Sequence, residues 1–261
     1  GTRATSWPDS NSAYSYLSFF FRGEYNYKDL YYAEVAARTD ASSRFGADHR
    51  WGMFWSLGFM WNIKNEAFLK DIEWLTSAQV KLSTGTSGNS EIPYYDHLAL
   101  VSGDANYNDE AGIYPSQSGN EELSWEQTWA NNVGVSFGLY NRVNVNVDFY
   151  HKKTTNMLML VPQSYAITGV RNRWDNIGAM MNRGVEIAID GDVIRTKDFT
   201  WNLSANVSYN KNKLLELYNG VEEYVNSTTG LKYVVGHSVR EYFMNRYAGV
   251  NPANGDALWY T

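Results

Sequence analysis

Period-two alternation of apolar and polar side chains is the feature that most restricts what this sequence can become. Over 143–150, Val143, Val145, Val147 and Phe149 alternate with Asn144, Asn146 and Asp148. Over 199–210, Phe199, Trp201, Leu203, Ala205, Val207 and Tyr209 hold the odd positions, and every even position is Thr, Ser or Asn. A helix would scatter both sets round its axis, whereas a strand puts each set on one face. The same pattern predicts strands over 15–27, 30–40, 52–63, 78–83, 128–139 and 184–193. The apolar face is odd-numbered in all of these but 78–83, where it is even. A short amphipathic helical turn over 65–75, with Phe68, Leu69, Ile72 and Leu75 on one side, separates that strand from the ones before it.

The connections come in two kinds. Lys28–Leu30 and Tyr140–Arg142 read as three-residue hairpin loops, and 195–198 as a third tight connection. Between them lie long polar segments at 40–51, 84–125 and 155–182. Tight turns alternating with long loops put all the tight turns at one end of a meander, which is the anatomy of an outer-membrane barrel. A soluble β-sandwich, as in a surface adhesin or glycan-binding module, also alternates apolar-in and polar-out.

Two details favour the barrel. The apolar faces carry no charge over their central stretches, while Arg22, Glu24, Glu34, Arg38, Lys81, Asp148, Glu186 and Asp190 occupy the opposite faces. A Lys or Arg at the lipid midplane would cost roughly 2–4 kcal/mol, so a bare outer face with a charged lumen fits. Large aromatics also gather at strand ends, with Tyr25, Tyr27, Tyr31, Trp61, Phe199 and Trp201 beside the tight turns and Trp125 and Trp129 towards the long loops. A bilayer interface explains such girdles. Asn131 is the one blemish on the outward face.

Composition excludes several functions. A net charge of -6 argues against a nucleic-acid partner, and the absence of Cys removes disulfide frameworks and thiolate metal sites. No run approaches the ~18 apolar residues of a spanning helix. The first residues show no secretory leader, so the chain reads as cytoplasmic, mature, or a piece of something longer. His49, His97, His151 and His237 lack metal-ligand spacing, and no phosphate-binding glycine loop follows a strand. The expectation is therefore a non-enzyme without cofactor or bound metal. Asp104, Asn106 and Asn108 resemble the start of a calcium loop, but Asp109 and Pro115 stand where that loop needs Gly and Glu. Ligand-binding candidates lie in the long segments: Arg44, Arg50 and Trp51, then Tyr94, Tyr95 and Asp96, then Arg171, Arg173, Trp174 and Asp175. Aromatic faces beside oriented polar groups suit a sugar or a peptide, and equally suit packing against a partner protein.

Several runs resemble the SusC/RagA family of TonB-linked outer-membrane transporters of Bacteroidetes. These are Arg38 to Gly46 (RTDASSRFG) with Trp51, Phe54, Trp61, Asn65, Glu66 and Phe68; Ser83 to Asn89 (STGTSGN); and Gly119 to Glu126 (GNEELSWE). Asn176-Ile-Gly178 with Asn182 to Ile187 (NRGVEI), Thr196 to Trp201 (TKDFTW), Tyr209 to Lys213 (YNKNK) and Gly249 to Gly255 (GVNPANG) continue in order. The resemblance implies an all-β fold: an antiparallel transmembrane β-barrel segment, about eight strands of a larger, 22-stranded plugged barrel. Residues 1–261 would be part of that one barrel domain, with neither the plug nor the terminal strands. It also implies active import of oligosaccharides or oligopeptides beneath a SusD-like surface lipoprotein, driven by TonB–ExbB–ExbD through the plug of the parent protein. A siderophore receptor or substrate-specific porin is the alternative within transport. The expected location is the outer membrane, with the wall against membrane lipid.

The alternation gives a direct test of inside and outside. Val145→Arg is expected to block assembly of the barrel and Asn146→Arg to be tolerated, measured as heat-modifiable gel mobility in the outer-membrane fraction. Equal tolerance at the two positions would overturn the facing.

Overall fold

In the computed structural model, which describes residues 12–107, 110–225, 231–239, 241 and 245–260, all eight expected strands form and join into one antiparallel sheet. In chain order the first are β1 (Tyr16–Tyr27), β2 (Tyr31–Ser42), β3 (Trp51–Asn62) and β4 (Leu75–Asn89). A hairpin of β5 (Leu100–Tyr107) and β6 (Glu110–Gln117) then projects before β7 (Glu126–Leu139) and β8 (Val143–Thr155). β9 (Leu158–Pro162), the helical turn α1 (Tyr165–Thr168) and β10 (Asn172–Asn176) form a second projection before β11 (Ala179–Arg195) and β12 (Thr200–Glu216). Two small hairpins follow: β13 (Glu223–Val225) with β14 (Lys232–Val234), and β15 (Tyr247–Val250) with β16 (Ala257–Trp259). The sheet runs β1-β2-β3-β4-β7-β8-β11-β12, a meander from which the other strands stand out as loop hairpins.

Pairing registers keep the apolar residues on one face. Tyr27 pairs with Tyr31 and Leu139 with Val143, so both tight loops have three residues. Their first two residues take left-handed backbone angles: Lys28 and Asp29 at φ 54° and 56°, Tyr140 and Asn141 at 53° and 52°. Two successive positive φ values are the sign of a primed turn, whose twist matches that of the strands it joins. Between β11 and β12 the loop is even: Arg195 pairs with Thr200, leaving four residues between them. An even loop would set odd residues against even ones and turn one apolar face inward. A bulge between Asp192 and Ile194 inserts Val193 and restores odd-with-odd pairing, with Ile189 opposite Ala205 and Ile187 opposite Val207. The even-numbered face of β4 also finds its place, since Leu82 pairs with Phe59 and Val133, and Val80 with Trp61 and Val135.

The 63–74 connection departs from the sequence reading. A 3-10 turn at Ile63–Asn65 and further turns replace the amphipathic helical face. Phe68 is exposed and Leu75 is buried as the first residue of β4. Lys64 organises the segment, donating from Nζ to the carbonyls of Leu69, Lys70 and Ile72 at 2.9, 3.0 and 2.7 Å. So compact a cap around one ammonium leaves no room for a helix.

Asn131 is no blemish. It lies opposite Thr84, whose hydroxyl is 2.8 Å from its Oδ1, and the Trp129 indole N–H donates to the same hydroxyl at 2.9 Å. The Asn131 carbonyl oxygen, the Thr84 hydroxyl and the Trp129 indole N–H thus pair with one another within the wall, which lowers the cost of polar groups on that face.

Register also fixes the slope of the strands. The row that begins at Tyr27 continues through Tyr31, Trp61, Val80, Val135, Val147 and Ile187 to Val207. It starts at a tight turn and ends seven residues past Thr200, the start of β12. Seven residues at ~3.3 Å against seven strand spacings at ~4.8 Å gives a tilt of roughly 35°, the inclination of strands in membrane barrels. The polar face is concave: a cavity of about 1190 Å³ touches residues of all eight strands, from Glu24 on β1 to Asn210 on β12.

Near the long-loop end, Phe54 points to the concave side and is 5% exposed. Gly88 and Gly52 make room for its ring, since an added Cβ would stand 2.1 Å from Phe54 Cζ at Gly88 and 2.6 Å at Gly52. Gly88→Ala is expected to lower stability by about 1–3 kcal/mol through overpacking, read as a lower thermal midpoint. An unchanged midpoint would show that the ring can move aside.

Candidate functional site

The concave face and the loops at its rim form an extensive polar surface among the described residues. On the wall, Arg22 bridges to Glu24 and Glu34, the latter at 3.1 Å. Arg38 holds Asp40 through Nε and Nη2, both at 2.7 Å. Farther along, Asp148 sits directly opposite Glu186, and Asp190 accepts a hydrogen bond from Asn144 at 3.2 Å. Tyr150, Lys152, Asn182 and Asn210 complete that part of the cavity. The surface thus offers carboxylates, amides and a few cations to the cavity. No group of three His, Asp or Glu suited to a metal occurs among the described residues.

The rim is built around a small apolar core. Phe45, Ile92 and Leu123 are fully or almost fully buried, with Trp125, Leu158 and Trp174 packed against them. Trp125 therefore belongs to the inner rim, which corrects its assignment to the outward girdle. Its ring meets Phe45 and Phe54 edge-on at 5.6 and 5.4 Å, and its indole N–H donates to the Arg50 carbonyl at 2.8 Å. The chain turns it inward before β7 begins at Glu126.

Amides tie the loops together around this core. Asn176 accepts from the Ser124 N–H at 2.7 Å and donates to the carbonyls of Ser124 and Asn156 at 2.8 and 3.0 Å. Asn120 donates to the Trp174 carbonyl at 3.0 Å. Glu126 accepts from the Leu158 N–H at 3.1 Å and from Asn89 at 3.3 Å. Gly46 is packed against the backbone of Glu121, whose carbonyl would lie 2.4 Å from any Cβ there. Gly178 adopts φ 103° beside the Glu216 carbonyl. Four of the runs quoted above, 38–46, 83–89, 119–126 and 176–178, thus meet in one clasp.

The ten candidate ligand-binding residues fall into different surroundings. Arg44 is buried, with its guanidinium carbon 5.1 Å from the Tyr14 ring centre and 5.2 Å from that of Tyr94; it donates to the Ser90 carbonyl at 2.9 Å. Arg173 pairs with Asp175 at 2.8 Å on β10, next to Trp174 in the rim core. Trp51 opens β3 on the apolar face, 53% exposed, and stacks on Phe19 at 6.3 Å. Arg50, Tyr95 and Arg171 face solvent, Tyr95 at 41% exposure. Tyr95 accepts from the Ala13 N–H at 3.1 Å, and Arg171 lies over the Tyr165 ring at 5.3 Å. Sequence spacing could not separate these groups, because loop residues that share a composition carry no face assignment. Of the calcium-like run, Asp104 and Asn106 lie on β5, while Asn108 and Asp109 are outside the described residues.

Asp96 is half-buried. Its burial pushes the carboxyl above the ordinary carboxylate range, and the charge of His97 offsets part of the rise.

Comparison with known proteins adds the following. The sequence model of a family described as TonB dependent receptor-like, beta-barrel, matches residues 1–260. TonB-dependent receptor P39 of Formosa agariphila is 38% identical over 201 residues, 77% of this chain and 19% of that protein. TonB-dependent receptor SusC of Bacteroides thetaiotaomicron is 32% identical over 265 residues, 93% of this chain and 26% of that protein. A solved structure of the RagAB peptide transporter superposes with a TM-score of 0.87 at 38% identity, over 95% of this chain and 27% of that one. The chain thus spans about a quarter of the length of these relatives.

The Asp96 geometry carries a pH signature. With its folded pKa raised, Asp96 favours folding below its unfolded value of ~3.9 and opposes it as pH climbs past that value towards the raised one. Asp96→Asn is expected to slow proteolysis of the 90–125 loop at pH 7 and to give no gain near pH 3. A gain of equal size at both pH values would exclude the burial effect.

Proposed function

Because the chain belongs to the TonB-dependent receptor-like β-barrel family, we propose that it forms part of the wall and outer vestibule of an outer-membrane active importer. One observation carries the reading: an apolar face that is free of charge over its central stretches backs directly onto a concave, charged face of the same eight-stranded sheet. Lipid on one side and an aqueous lumen on the other satisfy both. The sheet has two edges, β1 and β12, each paired on one side. Unpaired backbone cannot face hydrocarbon, so further strands would close the wall; the resemblance to the SusC/RagA family implies a larger, 22-stranded parent with a plug.

The cargo proposed is an oligosaccharide or an oligopeptide. A broad cavity with carboxylates, amides and tyrosines suits a large polar ligand held by many weak contacts. Its likeness to SusC and to the RagAB transporter supports that class. Arg50, Tyr95 and Arg171, which face solvent at the rim, would meet cargo or a SusD-like lipoprotein lid. Arg44, Tyr94, Asp96, Arg173, Trp174 and Asp175 would shape the loops that present them, and Trp51 would anchor the wall in the lipid interface. Import would draw on TonB–ExbB–ExbD through the plug, by binding and gating without any covalent step. The setting would be the outer membrane of a Bacteroidetes-like cell.

The test is purification of the full-length parent from native outer membranes in mild detergent. A stoichiometric surface lipoprotein and retention of an oligosaccharide or peptide are the expected results. A parent that comes out alone and binds neither, while its deletion leaves uptake intact, would refute the proposal.

A further inference from the structure

Past the apolar band, towards the long loops, the lipid-facing side of β8, β11 and β12 changes character. Arg183 on β11 lies directly opposite His151 on β8 and Lys211 on β12. One row on, Met181 lies between Lys153 and Lys213. All are on the apolar face, because Val185, two residues after Arg183 and on the same face, lies between Phe149 and Tyr209. The even-numbered neighbours Lys152, Asn182 and Asn210 line the cavity on the other side.

Height places these cations at the membrane boundary. Lys153 stands ten residues past Val143, and Lys211 eleven past Thr200, the first residues of their strands. At ~3.3 Å per residue and a tilt of roughly 35° they lie about 27–30 Å above the tight-turn level, just beyond an apolar band ~25 Å tall. Trp129, in register with Lys153, marks the same interface. At comparable distance along β1 and β3 the outward residues are Leu17 and Trp51, so the charge is confined to one sector. Lys153, Arg183 and Lys211 are exposed, and none of the four cations has an ion-pair or side-chain hydrogen-bond partner among the described residues.

We propose that Lys153, Arg183, Lys211 and Lys213 form a binding site for the phosphate groups of an anionic lipid in the outward leaflet. The inference rests on the reading of the sheet as a membrane wall. Strands ~4.8 Å apart and same-face residues ~6.6 Å apart make a patch the size of one phosphorylated headgroup. Arg183 supplies a planar fork for two phosphate oxygens at its centre, and the lysines supply point charges around it. Four cations without a carboxylate would repel one another in water, and a lipid phosphate at the level of Trp129 neutralises them.

The test uses the full-length parent in detergent micelles and native mass spectrometry, with diphosphoryl lipid A, its dephosphorylated form and inorganic phosphate as probes. Wild-type protein should retain the diphosphoryl lipid and not the dephosphorylated one. Arg183→Gln with Lys211→Gln should weaken retention roughly 30-fold, at about fivefold per surface cation. Lys197→Gln, in the tight turn at the opposite end, should leave it unchanged. Equal retention by the double variant, equal retention of the dephosphorylated lipid, or full displacement by millimolar phosphate would each overturn the lipid site. Heat-modifiable mobility of every variant is read alongside. A wild-type protein that fails to fold into bilayers at all would instead refute the membrane wall.

Discussion

Backbone hydrogen bonding between neighbouring strands, under a parity constraint, is what the rest of the structure depends on. A wall facing hydrocarbon must satisfy every backbone N–H and C=O through its neighbours. It must also keep one set of alternating side chains outward through every turn, because a single-residue slip reverses both faces. Three-residue loops preserve parity by themselves at Tyr27/Tyr31 and Leu139/Val143. The four-residue connection after β11 does not, and the bulge at Val193 corrects it. The compact turn around Lys64 leads to the one strand whose apolar residues are even-numbered. Each connection solves the same problem with different chemistry.

Once the faces are fixed, the register stagger follows, and with it the vertical position of every group. Aromatics, the Thr84–Asn131 pair and the outward basic cluster then acquire definite depths. The same stagger explains why rows of paired residues do not run parallel to the membrane plane. A row that begins among interface tyrosines at β1 ends among mid-wall valines at β12.

The wall and the rim of the polar side are built differently. The concave wall supplies charges of both signs, several already paired with one another, as at Arg22–Glu34 and Arg38–Asp40. The rim is held by a core of Phe45, Ile92 and Leu123, cross-linked by Asn120, Asn176 and Glu126. Such a clasp positions long loops without regular secondary structure. It also leaves Arg50, Tyr95 and Arg171 exposed at the rim, the usual arrangement of loop side chains on a rigid scaffold.

Alternation by itself determined that this chain builds a sheet, which residues share a face, and which connections are tight, since a strand's period of two is written directly into the order of side chains. Resemblance in the motifs pointed to the family without revealing what those motifs do. Only the tertiary structure decided that Phe45, Leu123, Trp125 and Asn176 meet in one clasp, that Trp51 opens the apolar face and stacks on Phe19, and that Arg44 is sheltered among tyrosines. Those outcomes depend on contacts between segments up to more than a hundred residues apart, and no local periodicity encodes such distances. The extra residue at Val193 was equally invisible, because a bulge is defined by the partner strand and not by the strand that contains it.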